Sequence, residues 1–166
     1  MVSIILIRNT DGGLDYLIKS CRYVFNEERA IIRGGFYVDF FDLDAAFSQM
    51  LDVKRYFGKT SGNPLIHIIV SFDECAKDLI QAEALSRRIA SFYSGRYQVL
   101  WCMHHKPHGG SNYHVHIILN SVSYVDGKMF HSGMMERQAF QLFVHNVTGS
   151  KTTFRFDNKN EYRNGS

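Results

Sequence analysis

The sequence predicts a single α+β domain, a central antiparallel β-sheet flanked by helices, and three observations carry that prediction. Stretches with helical periodicity alternate with short β-branched apolar runs along the whole chain. The longest such runs, "PLIHIIVSF" and "YHVHIILNSVSY", fall centrally, as suits the middle strands of an antiparallel or mixed sheet covered by helices. The 166 residues are 45% hydrophobic and 14% aromatic, enough apolar surface for one core, so residues 1–166 are expected to form one domain.

The elements follow in order. "MVSIILI" is β-branched and apolar and predicts a first strand. After the breaker "NTDGG", the residues Leu14, Leu17, Ile18, Cys21 and Phe25 recur on one face of a helix running from about Leu14 to Asn26. "AIIRGGFYVDFF" predicts extended structure interrupted at Gly34-Gly35. "DLDAAFSQMLDVKRYFG" predicts a second helix, with Asp42 as its N-cap and Gly58 as its stop. "PLIHIIVSF" predicts a buried strand. A third helix is expected from about Cys75 to Tyr93, with a stripe of Leu79, Ala82, Leu85, Ile89 and Phe92 behind a capping box at Ser71 to Glu74. "YQVLWCM" and "YHVHIILNSVSY" read as two strands joined by a Gly-rich loop. "DGK" then marks a hairpin turn, a last helix is expected from about Met134 to Asn146, and "TTFRF" adds an edge strand.

Composition narrows the function classes. No apolar run approaches the roughly 20 residues of a membrane span, and the N-terminal apolar run is too short, and lacks the basic leader, for a signal peptide. Cys21, Cys75 and Cys102 are odd in number and lack CxxC spacing, which argues for reduced thiols in a cytoplasm. A net charge of +3 permits nucleic-acid binding without requiring it.

The chemistry gathers in "WCMHHKPHGGSNYHVHIILNSV", where five of the eight histidines lie between His104 and His116. His114 and His116 are two apart in a strand and share a face, about 7 Å apart along the chain. Two imidazoles on one strand face supply two of the ligands of a three-histidine metal site. A hairpin returning from "QVLWCMHH" brings His104 or His105 beside them, and His108 is a third contender. Such a site suits Zn, Mn, Co or Ni. His67, His131 and His145 read better as ordinary structural histidines. On the first helix, Tyr16 and Tyr23 lie opposite the apolar stripe, two turns apart. A tyrosine is a nucleophile that forms covalent intermediates with phosphorus, and a metal supplies the matching electrophilic half.

Taken together, these segments resemble the bacterial relaxases, mobilization nucleases of plasmids and integrative elements (MOBP-like) within the HUH (His-hydrophobe-His) endonucleases. "CRYVFNEER" is similar to the first motif of that family. "GGFYVD", "AAFSQMLDVKRYFGKTSG" and "LIHIIVSFDE" are similar in order and spacing to the segments that follow, and "HVHIILNSVSYVDGKMFH" resembles the third motif. The chain departs from the pattern at Lys106, where relatives usually carry an acidic residue two positions after the first histidine, and in a longer loop before His-Val-His.

The resemblance implies an HUH palm of ferredoxin-like, RRM-like type and a defined reaction. One DNA strand is nicked at a transfer origin, leaving a covalent 5′-phosphotyrosine and a free 3′-hydroxyl, and the reverse reaction rejoins the strand during conjugative mobilization. By motif position the nucleophile is Tyr23, with Tyr16 second. The ligands of a divalent metal (Mg or Mn, alternatively Zn, Co or Ni) are His114, His116 and, favoured over His105 and His108, His104. His67 and Asn120 are candidates to support the ligands. The implied partners are single-stranded DNA at the origin and accessory relaxosome proteins, in a bacterial cytoplasm. The metal, or a basic side chain such as Lys19, Arg22 or Arg29, would have to favour the phenolate. Arg22, Arg29, Arg33, Lys54, Arg55 and Lys59 are candidate DNA contacts, and Tyr37 a candidate stacking residue. Two other readings compete: a non-catalytic single-strand-binding module, and a histidine-triad hydrolase. The second lacks its third alternating histidine, because Asn112 and Ile118 flank the pair.

Overall fold

The computed structural model describes residues 1–8, 14–26, 28, 30–106 and 112–157, apart from a few side chains within the elements. Its elements are β1 (Val2–Ile7), α1 (Leu14–Val24), β2 (Ile32–Phe36), α2 (Leu43–Tyr56), β3 (Leu65–Ser71), α3 (Leu79–Ala90), β4 (Val99–Lys106), β5 (Asn112–Asn120), α4 (Met134–Thr148) and β6 (Thr152–Asp157). The strands form one six-stranded sheet in the order β2-β4-β5-β3-β1-β6. Four of the five pairings are antiparallel. The fifth, β1 with β6, is parallel, so the sheet is mixed rather than wholly antiparallel. The α+β class with helices flanking a central sheet is as the sequence predicts. Among the described residues no helix is long and apolar enough to cross a membrane.

The period-two alternation of the strands sends their side chains to two different cores. On one face Val99, Trp101 and Met103 of β4, Val115, Ile117 and Leu119 of β5, and Ile66, Ile68 and Val70 of β3 pack against Ala82 and Ile89 of α3 and Phe140 and Val144 of α4. On the other face Leu100 and Cys102 of β4 and Ile118 of β5 meet Cys21, Val24 and Phe25 from the end of α1 and Ala46 and Met50 of α2. This second core is the smaller, and the strand positions that extend beyond it carry histidines.

Local corrections have local causes. Gly34 and Gly35 do not interrupt β2 but lie inside it, paired with Trp101 and Leu100. A Cβ at Gly34 would stand 2.6 Å from the Trp101 ring, so glycine is what lets this edge strand lie over the indole. The capping box at Ser71 to Glu74 is not used: Ser71 ends β3, and Asp73–Cys75 form a single 3₁₀ turn. Helix α3 starts four residues later than expected, where the Asp78 carboxylate accepts from Gln81 N–H at 2.8 Å. Asp42 caps α2 as expected, accepting from the N–H groups of Asp44 and Ala45, and Gly58 follows the helix at φ +67.

Lys54 is buried rather than turned toward solvent, and its ammonium donates to Ser121 Oγ at 2.7 Å. Burial brings its pKa down from the usual 10.5 to about 8. The charged form is therefore penalised in the folded state below pH 8, and the penalty fades as pH rises toward 10.5. Lys54→Met is expected to be more stable than wild type at pH 7, by at most about 3 kcal/mol. The gap should close by about pH 10.5, as urea unfolding at the two pH values will show. A gap independent of pH would contradict the buried charge.

Candidate metal centre

The histidines are placed by strand register. Cys102 of β4 faces His116 of β5, and His104 faces His114, so the alternate positions 102 and 104 share a face with 114 and 116. One ligand nitrogen from each of His104, His114 and His116 lies within 4.8 Å of the others. Their ring centroids are 4.4 Å (His104 to His116), 5.1 Å (His114 to His116) and 5.3 Å (His104 to His114) apart. Nitrogens bound at about 2.1 Å to one ion lie no more than about 4.2 Å apart, so slight ring rotation closes the set on a cation. His114 and His116 are buried and His104 is half-buried. Among the described residues, this is the one group of three His, Cys, Asp or Glu side chains with metal-binding spacing.

Each outer imidazole contact fixes which nitrogen faces inward. His104 Nε2 is 2.6 Å from the Val24 carbonyl, which can only accept. Nε2 therefore carries the proton and Nδ1 keeps the lone pair. Val24 ends α1, where the last carbonyls have no intrahelical N–H to bind, so its oxygen is available. His116 Nδ1 is 2.9 Å from His67 Nε2, leaving Nε2 of His116 for a cation. Burial, and secondly the charge of nearby His104, bring the pKa of His67 down to about 4, so His67 is a neutral partner. Second-row imidazole and carbonyl contacts of this kind set ligand orientation and basicity. His67→Ala is expected to weaken Mn²⁺ affinity about 10- to 100-fold while all three ligands remain, measurable by isothermal titration. An unchanged affinity would reduce His67 to a packing residue.

The remaining histidines divide cleanly. His105 is exposed on the opposite face, stacked on Tyr113 at 4.5 Å between centroids, and does not join the cluster. His108 and Arg29 lie outside the described residues. His131 is exposed, and His145 contacts the Ser150 carbonyl at 2.8 Å. Asn120 shares the histidine face but binds elsewhere: its Nδ2 donates to the Met50 carbonyl at 3.0 Å and to Gln98 Oε1 at 2.9 Å. Cys102, which sequence reasoning did not single out, lies beside the site, with Sγ 3.6 Å from His104 Nε2 and 3.5 Å from the Val24 carbonyl. Burial pushes its thiol pKa well above the usual value, so it remains protonated and donates to that carbonyl.

Tyr23 precedes Val24 in the last turn of α1 and is 39% exposed. It is thus one residue from the carbonyl that His104 binds. The side chain of Tyr16 lies outside the described residues. Arg22 forms an ion pair with Asp44, linking α1 to the start of α2. Arg33 lies opposite Cys102 in the β2–β4 pairing and so belongs to the histidine face. Lys19, Lys59 and Tyr37 are exposed, and Arg55 lies 3.8 Å from Asp52. Buried Lys54 is withdrawn from any role in binding phosphate.

The donor set decides the chemistry. Three neutral imidazoles leave the full charge of a divalent cation uncompensated and leave coordination positions open. Such a centre favours anionic oxygens, phosphate among them. A family model for relaxases, described as MobA/VirD2-like, nuclease domain, matches residues 21–149, a span that includes Tyr23 and all three histidines. Comparisons with curated proteins and with solved structures give no match.

Proposed function

Since this chain belongs to the MobA/VirD2-like relaxase nuclease family, we propose that it nicks one DNA strand at a transfer origin through Tyr23 and later rejoins it. The observation that carries this reading is the all-imidazole cluster of His104, His114 and His116, hydrogen-bonded to the residue next to Tyr23. Those three histidines would hold a divalent cation, which would supply positive charge to the nonbridging oxygens of the scissile phosphate. Mn²⁺ and Mg²⁺ are the first choices, and the nitrogen donors also suit Zn²⁺, Co²⁺ or Ni²⁺.

Tyr23 loses its phenolic proton, and its oxygen forms a bond to phosphorus. The bond from phosphorus to the 3′-oxygen breaks, and that oxygen takes up a proton to leave a 3′-hydroxyl. One phosphodiester replaces another, so little free energy is lost and the reverse reaction reseals the strand. A phenol with the ordinary pKa of about 10 is mostly protonated at neutral pH. A basic side chain such as Lys19, Arg22 or Arg29, or a cation held by the histidines, would favour the phenolate. Arg33 and Lys59 serve as phosphate contacts and Tyr37 as a stacking surface for the single strand. Accessory relaxosome proteins and a bacterial cytoplasm complete the setting of this reading.

The test is a single-stranded oligonucleotide from the transfer origin of the element that encodes the chain, incubated with the protein and Mn²⁺. The expected result is a protein–DNA adduct that survives denaturing electrophoresis, together with a released fragment that a polymerase extends from its 3′-hydroxyl. No adduct with Mn²⁺, Mg²⁺ or Zn²⁺ would overturn the reading.

A further inference from the structure

Two described non-glycine residues have positive φ: Asp73 at 49 and Tyr37 at 59. Aspartate tolerates the left-handed region because its short side chain bonds locally, but a bulky L-residue is strained there. Tyr37 gives the core little in return, since it is 68% exposed. A loop that had only to turn from β2 into α2 would be more stable with glycine at this position.

The surroundings nevertheless hold Tyr37 in place from two sides. Gln98 Nε2 donates to the Tyr37 carbonyl at 3.1 Å, and the buried Gln98 is itself held through Oε1 by Nδ2 of the fully buried Asn120. On the other side the Tyr37 ring leans on Tyr124, with centroids 5.0 Å apart and planes at 39°. The Tyr124 hydroxyl donates to the Ser94 carbonyl at 2.6 Å, which fixes the second ring. A buried amide pair and an anchored phenol thus maintain a strained residue whose ring faces solvent. Strain of this kind persists where function requires it.

We propose that Tyr37 and Tyr124 form a stacking platform for a nucleobase of the single strand whose scissile phosphate occupies the histidine centre. The proposal rests on the relaxase reading above. Edge strand β2 runs antiparallel to β4 and connects the two places: Arg33 lies opposite Cys102, and Tyr37 directly follows the strand's last residue, Phe36. Four extended residues cover about 13 Å. A strand leaving the histidines along this edge meets a guanidinium suited to a phosphate, then an aromatic pair suited to a base. Stacking is indifferent to sequence because every base has a π-face.

The experiment is fluorescence anisotropy of a fluorescein-labelled, mixed-sequence single-stranded DNA oligonucleotide with the full chain and Mn²⁺, alongside thermal unfolding. Tyr37→Gly is expected to weaken DNA binding about tenfold, the loss of one stacked base. The same substitution should raise the unfolding midpoint by a few degrees, because the strain is removed. Tyr37→Trp should keep the wild-type affinity. If wild type binds and nicks single strands while Tyr37→Gly binds them equally well, the platform is overturned and the relaxase reading stands. A lowered midpoint with unchanged affinity would also overturn it, by making Tyr37 a structural residue. If wild type binds no single strand, the relaxase reading fails and the platform fails with it.

Discussion

Tyr23→Phe is expected to abolish the covalent protein–DNA adduct, with a loss of nicking of roughly 10⁴-fold or more, the scale of removing a nucleophile. The substitution takes away one oxygen and leaves the ring, the helix and the Val24 carbonyl in place. Affinity for Mn²⁺ and for single-stranded DNA should therefore stay within about threefold of wild type. Denaturing electrophoresis of a labelled origin oligonucleotide reads the first quantity, and titration reads the other two. An adduct that persists in Tyr23→Phe moves the nucleophile elsewhere, and Tyr16→Phe is then the next variant to examine. A joint fall in cation and DNA affinity would mean that the phenol shapes the site instead of reacting in it.

The second large effect is expected at His116. This imidazole belongs to the cluster and also bonds His67, so His116→Ala removes a ligand and isolates its partner. Mn²⁺ affinity should fall more than ~100-fold, beyond the 10- to 100-fold range of losing a supporting contact. Nicking should fall with it and recover only partly at high Mn²⁺ concentration. His105→Ala is the control on the same hairpin: its ring lies on the opposite face against Tyr113, so metal affinity and nicking should be retained. If His105→Ala and His116→Ala lose metal equally, the strand register that separates the two faces is wrong. Chelation with EDTA should stop nicking in wild type, and added Mn²⁺ should restore it.

Much of this architecture was legible because it depends on periodicity. Strand alternation and the Asp42 cap are properties of short windows and sit where their windows placed them, while α3 keeps Ala82 and Ile89 of its expected stripe buried but starts four residues late. His114 and His116 were legible for the same reason, since a strand returns to the same face every second residue. The third member of the cluster was harder. His104 and His105 differ by one position, and only the pairing of β4 with β5 decides which of them turns toward the cluster. No local pattern carries that register.

Features made by the backbone were invisible for a different reason. The Val24 carbonyl and the left-handed Tyr37 depend on how α1 and the β2–α2 turn dock, not on which residues compose them. Asn120 was correctly placed on the histidine face, yet its amide donates to the Met50 backbone carbonyl of α2 and to the Gln98 side chain before β4, and these two acceptors hold it away from the histidines. The Ser71 to Glu74 pattern matched a capping box, but β3 continues through Ser71, and pairing with His114 took precedence over capping.

The carbonyl at the end of α1 has a further consequence. His104 binds it through one nitrogen and belongs to the histidine cluster through the other, so the tail of the tyrosine-bearing helix and that cluster share one proton-donating ring. Two equilibria that meet at a common group are thermodynamically linked, and the linkage is reciprocal. Whatever holds the last turn of α1 against the sheet also sharpens the basicity of His104, and whatever occupies the cation position tightens that turn by the same free energy. Occupancy of the histidine cluster and the posture of the helix that carries Tyr23 are therefore coupled.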